Sequence, residues 1–232
     1  MSDIICSKCG ENSYYKSGKA NGKQRYKCKE CGCHFTMKDR REKYSTKQRL
    51  AAVTLYRKGL SLRSIAEVIG ANNVIVLYWI RNIGKFIKNT VLSAAVQSSK
   101  ELEVIEIDEL WHYVQKKQKK LWILLAYSRA RKRVIACEVG SRDVKTLKKL
   151  WKKVALFKPD VVCTDNYKVY NRVIPNDILV QSKRYTHNIE AQNSSLRDFI
   201  KRYNRKTKAY SKASDMAELS VYIHFFYNAI FV

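Results

Sequence analysis

Two Cys-x-x-Cys pairs, Cys6-Ser7-Lys8-Cys9 and Cys28-Lys29-Glu30-Cys31, lie 18 residues apart near the start of the chain. Each pair lets two thiolates reach one ion, and two pairs complete a closed tetrahedral Zn2+ site. A thioredoxin-like redox enzyme carries one such pair, without a second at this spacing. Gly10 and Gly32 directly follow the pairs, where a tight knuckle needs a permissive backbone. Between the pairs, Tyr14-Tyr15 and Gln24-Arg25-Tyr26-Lys27 flank a glycine-containing turn, which predicts a zinc ribbon of short strands over residues 1–37. Cys33 or His34 is an alternative fourth ligand, although Cys31 keeps the symmetry of the pairs. With four thiolates and no open position, the metal is structural and does no chemistry. The odd total of seven cysteines argues against a disulfide framework, and Cys137 and Cys163, in apolar runs, read as small core residues.

The rest of the chain has to tolerate its own charge. Among 232 residues, 46 Lys and Arg oppose 20 Asp and Glu, a formal charge of +26. Such a surface repels itself unless a polyanion compensates it, and nucleic acid is the expected partner. A hydrophobic content of 46% suffices for a packed core and excludes general disorder. The uncharged stretch Leu219–Val232 is too short, and with His224 and Asn228 too polar, to cross a bilayer. The polar, cysteine-rich first 30 residues do not resemble a signal peptide. The expectation is a soluble cytoplasmic protein associated with the nucleoid, with no membrane partner.

A charged linker, Lys38–Lys43, precedes a helix-turn-helix pattern over residues 44–88. Helical spacing runs from Ser45 to Lys58 and stops at Gly59, and a second short helix spans Ser61–Ile69 with Leu62, Ile65, Ala66 and Ile69 on one face. Gly70 suits a residue of positive φ, and Asn72-Asn73 open a third helix that turns Val76, Trp79, Ile80 and Ile83 inward. Asn73, Tyr78, Arg81 and Asn82 are then left outside, able to reach phosphates or base edges. A plain three-helix bundle is the blander alternative.

From about residue 102 the pattern changes to strands. Val104–Asp108 is an apolar strand ending in acid, Leu121–Tyr127 follows a basic turn at Gln115–Lys120, and Arg133–Val139 is a third strand. Asp143–Leu156 is a helix with Leu147, Leu150, Trp151 and Val154 inward. Asp160–Asp165 is a fourth strand that again ends in acid, and Ile178–Gln181 suits a fifth. The chain is helical from about Thr186, with Ile189, Asn193, Leu196, Ile200 and Tyr203 on one stripe. This order predicts an α/β fold, an RNase H-like mixed sheet with flanking helices over residues 102–232. In that fold the first and fourth strands are neighbours, so Asp108 and Asp165 can share a metal. A carboxylate beside a phosphate is repulsive unless a divalent cation lies between them, so these acids point to two-metal phosphoryl transfer. Glu190, the only acid between Asp177 and Asp198, is the candidate third ligand, while Glu106 and Glu109 compete with Asp108 for the strand position. Each acid also has a plainer reading, as a turn starter or as a carboxylate favoured near a helix N-terminus.

The stretch Asp108-Glu109-Leu110-Trp111 with Tyr113, then Thr164-Asp165, then Lys183-Arg184-Tyr185-Thr186-His187-Asn188-Ile189-Glu190 with Asn193, Leu196 and Arg197, resembles the transposases of the insertion sequence 1 family. Arg205-Lys206-Thr207 and Ser211-Lys212 fit the same pattern, and the likeness covers nearly the whole chain. The resemblance implies a DDE transposase with Asp108, Asp165 and Glu190 as its catalytic triad. It also implies two Mg2+ or Mn2+ ions, and double-stranded DNA, both terminal inverted repeats and target, as partner. Synapsis of two ends implies a homo-oligomer, a dimer or larger. Lys183, Arg184, Arg197, Lys201 and Arg202 are candidate phosphate contacts, in a stretch from 183 to 212 holding nine basic and two acidic residues. Two other classes remain open: an RNase H-like nuclease, and a nonenzymatic zinc-ribbon and helix-turn-helix regulator.

Overall fold

Alternating aromatic and polar residues build the first of two compact units, residues 1–49, around a three-stranded antiparallel sheet. Its strands are β1 (Tyr14–Ala20), β2 (Lys23–Cys28) and β3 (His34–Thr36). Tyr26 opposes Phe35 across β2 and β3, and Tyr14 meets both rings edge-on at 5.2 and 6.2 Å. Among the described residues, these rings with Cys6 and Cys28 make up this unit's core cluster. The computed structural model describes residues 4–6, 8–36, 44–94, 102–204 and 208–231. The linker Lys38–Lys43 and the run Arg205-Lys206-Thr207 lie outside them.

The helix α1 (Thr46–Arg57) opens on a capping box: the Ser45 hydroxyl accepts from the Gln48 amide, and the Gln48 side chain accepts from the Ser45 amide. The second unit, residues 50–232, begins within this helix. Ser61 caps α2 (Leu62–Ile69), which ends at Gly70 with φ 70°, and α3 (Asn73–Ala94) follows. Val76, Trp79 and Ile80 are buried, as the helical spacing predicts.

The main sheet has the order β6-β5-β4-β7-β8, with β4 (Val104–Val114), β5 (Lys116–Ser128) and β6 (Arg133–Gly140) antiparallel. After α4 (Val144–Val154), β7 (Val161–Thr164) and β8 (Leu179–Gln181) add in parallel. The first and fourth strands of this sheet are therefore neighbours, as expected. Side-chain alternation divides β4 between two faces. Ile105 and Ile107 join Leu147, Leu150 and Val154 of α4 in one core. Glu106, Asp108 and His112 face the other way, toward α5 (His187–Phe199) and the turn that follows it.

Two sequence expectations need correction. Asp108 does not end its strand: buried Leu110 and Val114 carry β4 six residues further, to Val114. The stretch Gln115–Lys120 is not a turn either. The chain reverses at Gln115 alone, with φ 64°, and β5 begins at Lys116. Pairing of Tyr113 with Lys120, and the Gln115 amide donating to the Ser211 carbonyl at 2.8 Å, hold this lysine-rich segment extended.

The uncharged C-terminal stretch becomes α6 (Ser214–Phe226) and α7 (Asn228–Phe231). Its lack of charge has a packing cause, since α6 lies between α3 and β6. Gly84 of α3 lets the helices approach: a Cβ there would stand 2.9 Å from Leu219 Cβ and 3.2 Å from Ile223. Gly84→Val should lower the unfolding free energy by about 1–3 kcal/mol, read from urea denaturation. Among the described residues, no helix is long and apolar enough to cross a membrane.

Two histidines make stability depend on acid. Burial, with the charge of Arg202 nearby, pushes His112 down to about 4, and burial with Arg57 nearby does the same to His224. Their unfolded imidazoles take a proton near 6.5 and the folded ones only near 4. The unfolded state therefore binds more protons in this window, and the melting temperature should fall as pH drops from about 6.5 to about 4. His112→Gln, which keeps a partner for the Ser211 hydroxyl now 2.8 Å from the ring, should flatten that dependence.

Candidate functional site

The cysteine pairs close on one another. Sγ of Cys6 lies 3.6 Å from that of Cys31, Cys9 and Cys28 are also 3.6 Å apart, and all four fall within 4.8 Å of one another. Four sulfurs at about 2.3 Å from a tetrahedral ion stand about 3.8 Å apart, so the set fits Zn2+. Both knuckles share one backbone device: the Gly10 amide donates to the Cys6 carbonyl and the Gly32 amide to the Cys28 carbonyl, each glycine at positive φ. Amide donation from Cys9 and Lys8 lowers the Cys6 thiol, whereas Cys9 and Cys31 are raised, with burial and the neighbouring thiols among the causes, so the four thiols without an ion do not all ionise together. Cys33 and His34 stand outside the group: the Cys33 thiol donates to the His34 carbonyl, and the His34 ring meets Ser17. Cys137 and Cys163 are buried, and burial pushes the Cys137 thiol up to about 12, as an inert core thiol should be.

The second cluster is made by strand ends. β4 pairs with β7 only from Val104↔Val161 to Glu106↔Cys163, and β7 stops at Thr164. From Asp108 onward, β4 therefore has an edge that β7 leaves open, and Asp165 reaches into that gap. Asp108 and Glu109 leave opposite faces of β4, yet at this edge both converge on Asp165, with one oxygen of each within 4.8 Å of the others. Asp165 is fixed in place: its Oδ1 accepts from the Tyr167 amide at 3.0 Å, and its carbonyl accepts from Gln181 of β8.

Helix α5 supplies the fourth acid and is anchored from the sheet. The carboxylate of Glu106 is wholly buried and accepts from the Ile189 amide at 2.9 Å, the Asn188 side chain at 2.7 Å and Arg129 at 2.7 Å. That bond pins the first turn of α5 and so presents Glu190, whose Oε1 accepts from the Thr186 hydroxyl. Asn193, three residues further, donates to Asp108 Oδ2 at 2.8 Å. Asp108, Glu109, Asp165 and Glu190 line one open cleft of about 500 Å³, with Lys183, Asn193, Ser194 and Arg197 on its walls.

Electrostatics in the cleft call for a cation. Burial, and then the charges of Asp165 and Glu190, hold the Asp108 carboxyl above its ordinary value. Burial also raises Glu109, against the Arg142 guanidinium at 3.0 Å. Four carboxylates crowded on a protein of this charge suit a hard divalent ion with oxygen ligands.

The structure thus brings Asp108, Asp165 and Glu190 together and gives Glu106 a separate, internal role. Glu109, which the sequence set as a competitor of Asp108, lies with Asp108 and Asp165 within 4.8 Å, while Glu190 lines the same cleft outside that close group. Asn193 was legible as part of the helical stripe and of the motif shared with the insertion sequence 1 transposases, but its role as a partner of Asp108 was not. Arg142 and Ser194 gave none. Lys183, Arg184 and Lys201 are exposed, and Arg202 is half-buried beside His112. Lys201 and Arg202 border a separate groove with Gly59 and Leu62. On α3, Asn73, Tyr78 and Asn82 are exposed, while Arg81 reaches Asp215 at 3.4 Å.

Comparison with known proteins gives one consistent family. A family model described as IS1 transposase matches residues 102–231. The insertion element IS1 protein InsB of Shigella flexneri is 36% identical over 111 residues, covering 48% of this chain and 85% of that protein. The insertion element IS1 4 protein InsB of Escherichia coli K12 is 34% identical over 127 residues, 55% of this chain and 76% of its own length.

Proposed function

Because the chain belongs to the IS1 transposase family, we propose that it binds the terminal inverted repeats of an insertion sequence and catalyses metal-dependent cleavage and transfer of DNA strands. The observation that carries this reading is the meeting of Asp108, Asp165 and Glu190 in one cleft walled by Lys183 and Arg197. In this reading residues 102–232 form an RNase H-like catalytic domain, residues 44–88 a helix-turn-helix and residues 1–37 a zinc ribbon.

Two Mg2+ or Mn2+ ions, when bound by these carboxylates, would supply activation of the attacking hydroxyl and stabilisation of the leaving oxygen. Asp108, Asp165 and Glu190 offer the ligand oxygens, and Glu109 stands beside them. Asn193 keeps the Asp108 carboxylate turned into the cleft, and Glu106 anchors the first turn of α5, the helix from which Glu190 faces the same cleft. Lys183 and Arg197 attract the scissile phosphate and orient it against the acids. Water is the first nucleophile, and the freed 3′-hydroxyl attacks target DNA in the same cleft, so no covalent protein intermediate is needed. Asn193→Ala, which frees Asp108 to rotate, should cost about 10- to 100-fold in cleavage rate.

Sequence reading belongs to α3. Tyr78 and Asn82 point outward there, and Arg81 joins them as a phosphate contact when it leaves Asp215, an exposed pair of little intrinsic worth. Asn82→Ala should cost about 1–3 kcal/mol against the preferred end sequence and relax the preference at one position, as measured by competition binding. The deciding assay supplies Mg2+ and DNA carrying terminal repeats. The reading expects a nick at the 3′ end of the element followed by joining to new DNA. Cutting without joining makes the chain a nuclease, and neither makes it a regulator.

A further inference from the structure

The tip of the β4–β5 hairpin carries a feature that the acidic cleft leaves unexplained. Trp111 and Tyr113 project from the same face of β4, their ring centroids 5.6 Å apart, and Tyr210 follows Tyr113 at 5.8 Å. Successive planes differ by only 37° and 34°. Trp111 and Tyr210 remain 37% and 38% exposed, unusual for large rings with a core available. The segment around Ser211 is built against the hairpin, bridging Val114 in parallel, and its Ser211 and Lys212 carbonyls accept from the Gln115 amide and side chain. The row of rings is therefore fixed by backbone pairing.

Lysines surround it. Lys116, Lys117, Lys119 and Lys120 are exposed on β5, and Lys120 stands directly opposite Tyr113. Among the described residues, none of the four lies within ion-pair distance of a carboxylate. Lys208 and Lys212 are exposed on either side of Tyr210. The row also leads back toward the cleft. Trp122, the cross-strand partner of Trp111, lies under Arg142 at 4.7 Å, and Arg142 holds Glu109.

We propose that this row of rings binds unpaired nucleotides of the DNA, stacking their bases on Trp111, Tyr113 and Tyr210 while the hairpin lysines follow the phosphates. The proposal rests on the reading that the cleft acts on DNA. Bases in a duplex are stacked on one another and offer no free face, so a row of exposed rings selects nucleotides outside the duplex. A nick at the end of the element leaves the flanking nucleotides free to fray from their complement, and the row would hold them once unpaired. A second copy of the chain is a poor occupant, because it brings the same +26 charge to a lysine-ringed surface.

The test measures binding of the full chain, without divalent metal, to a blunt end duplex and to the same duplex with a single-stranded flank. The flank should tighten binding, and Tyr113→Ala and Trp111→Ala should each weaken the flanked complex by about 5- to 100-fold, leaving the blunt complex unchanged. Tyr113→Phe and Tyr210→Phe, which keep the ring face, should bind as the wild type. Lys117→Gln with Lys119→Gln should lower the salt slope by about 0.7 per charge removed, whereas the alanine variants should leave that slope alone. Equal binding of blunt and flanked DNA by the wild type would overturn the proposal while sparing the proposed function. So would full flank affinity in the alanine variants, or a change in sedimenting mass in place of a change in DNA binding. No binding to either DNA would overturn both readings together.

Discussion

Asp108→Asn, Asp165→Asn and Glu190→Gln should each reduce strand cleavage and strand transfer by roughly 10³-fold or more while leaving end binding intact. Each change keeps the size and hydrogen-bonding shape of the side chain and removes one negative charge. End binding should if anything tighten, because a charge repelling phosphate has gone. Mn2+, more tolerant of poor ligand geometry than Mg2+, should restore a trace of activity to the mildest of the three. Glu109→Gln should lose less, since Glu109 is already held by Arg142, whose guanidinium is in turn stacked 3.9 Å from Tyr167. Glu106→Gln makes the sharpest contrast. It weakens the anchor of α5 and leaves Arg129 without its buried partner, so it should lower stability, yet it should keep appreciable cleavage. An active Asp108→Asn beside a dead Glu106→Gln would move the first ligand two residues back along β4.

Removal of zinc should unfold the N-terminal sheet and spare the unit that begins at residue 50. Among the described residues, the buried core cluster of the first unit is Cys6, Tyr26, Cys28 and Phe35, too little apolar burial to hold so short a segment without a cross-link. Structural zinc contributes about 10–16 kcal/mol in comparable small sites, and that energy would be folding energy here. The purified chain should carry one Zn2+, measured by atomic emission or with a chromogenic chelator. Cys28→Ser or a strong chelator should release the metal and open β1–β3 to protease, with the main melting transition unchanged. A metal-free chain whose N-terminal sheet resists protease would contradict this account.

The elements that were easiest to read in the sequence are those whose signals are local. Paired cysteines, the short helix that stops at Gly70, and the α4 stripe of Leu147, Leu150 and Val154 are all set within a few residues, and the structure places them as the spacing implies. The stripe from Ile189 to Tyr203 is likewise buried along its length. What failed depends on partners distant in the chain. The lysines from 116 to 120 look like a turn because isolated lysines favour no strand, and only pairing with β4 and the backbone near Ser211 keeps them extended. The chain after Thr186 read as helical, but no inward stripe was legible beyond Tyr203, since burial of α6 against both α3 and β6 erases the periodicity that marks a one-sided helix. In the cleft, the acids were legible because carboxylates interrupt apolar strands. The different roles of Glu106, Asp108 and Glu109 were not, because strand alternation and the early end of β7 decide them together.

Shared metal ligation by Asp108, Asp165 and Glu190 is tested most directly by titration of Mn2+ into the full chain bound to uncleaved end DNA. Electron paramagnetic resonance of free Mn2+ should show saturable uptake by the wild type, strongly reduced in Asp108→Asn and Asp165→Asn and unchanged in Glu106→Gln. Undiminished uptake in the two aspartate variants would contradict it.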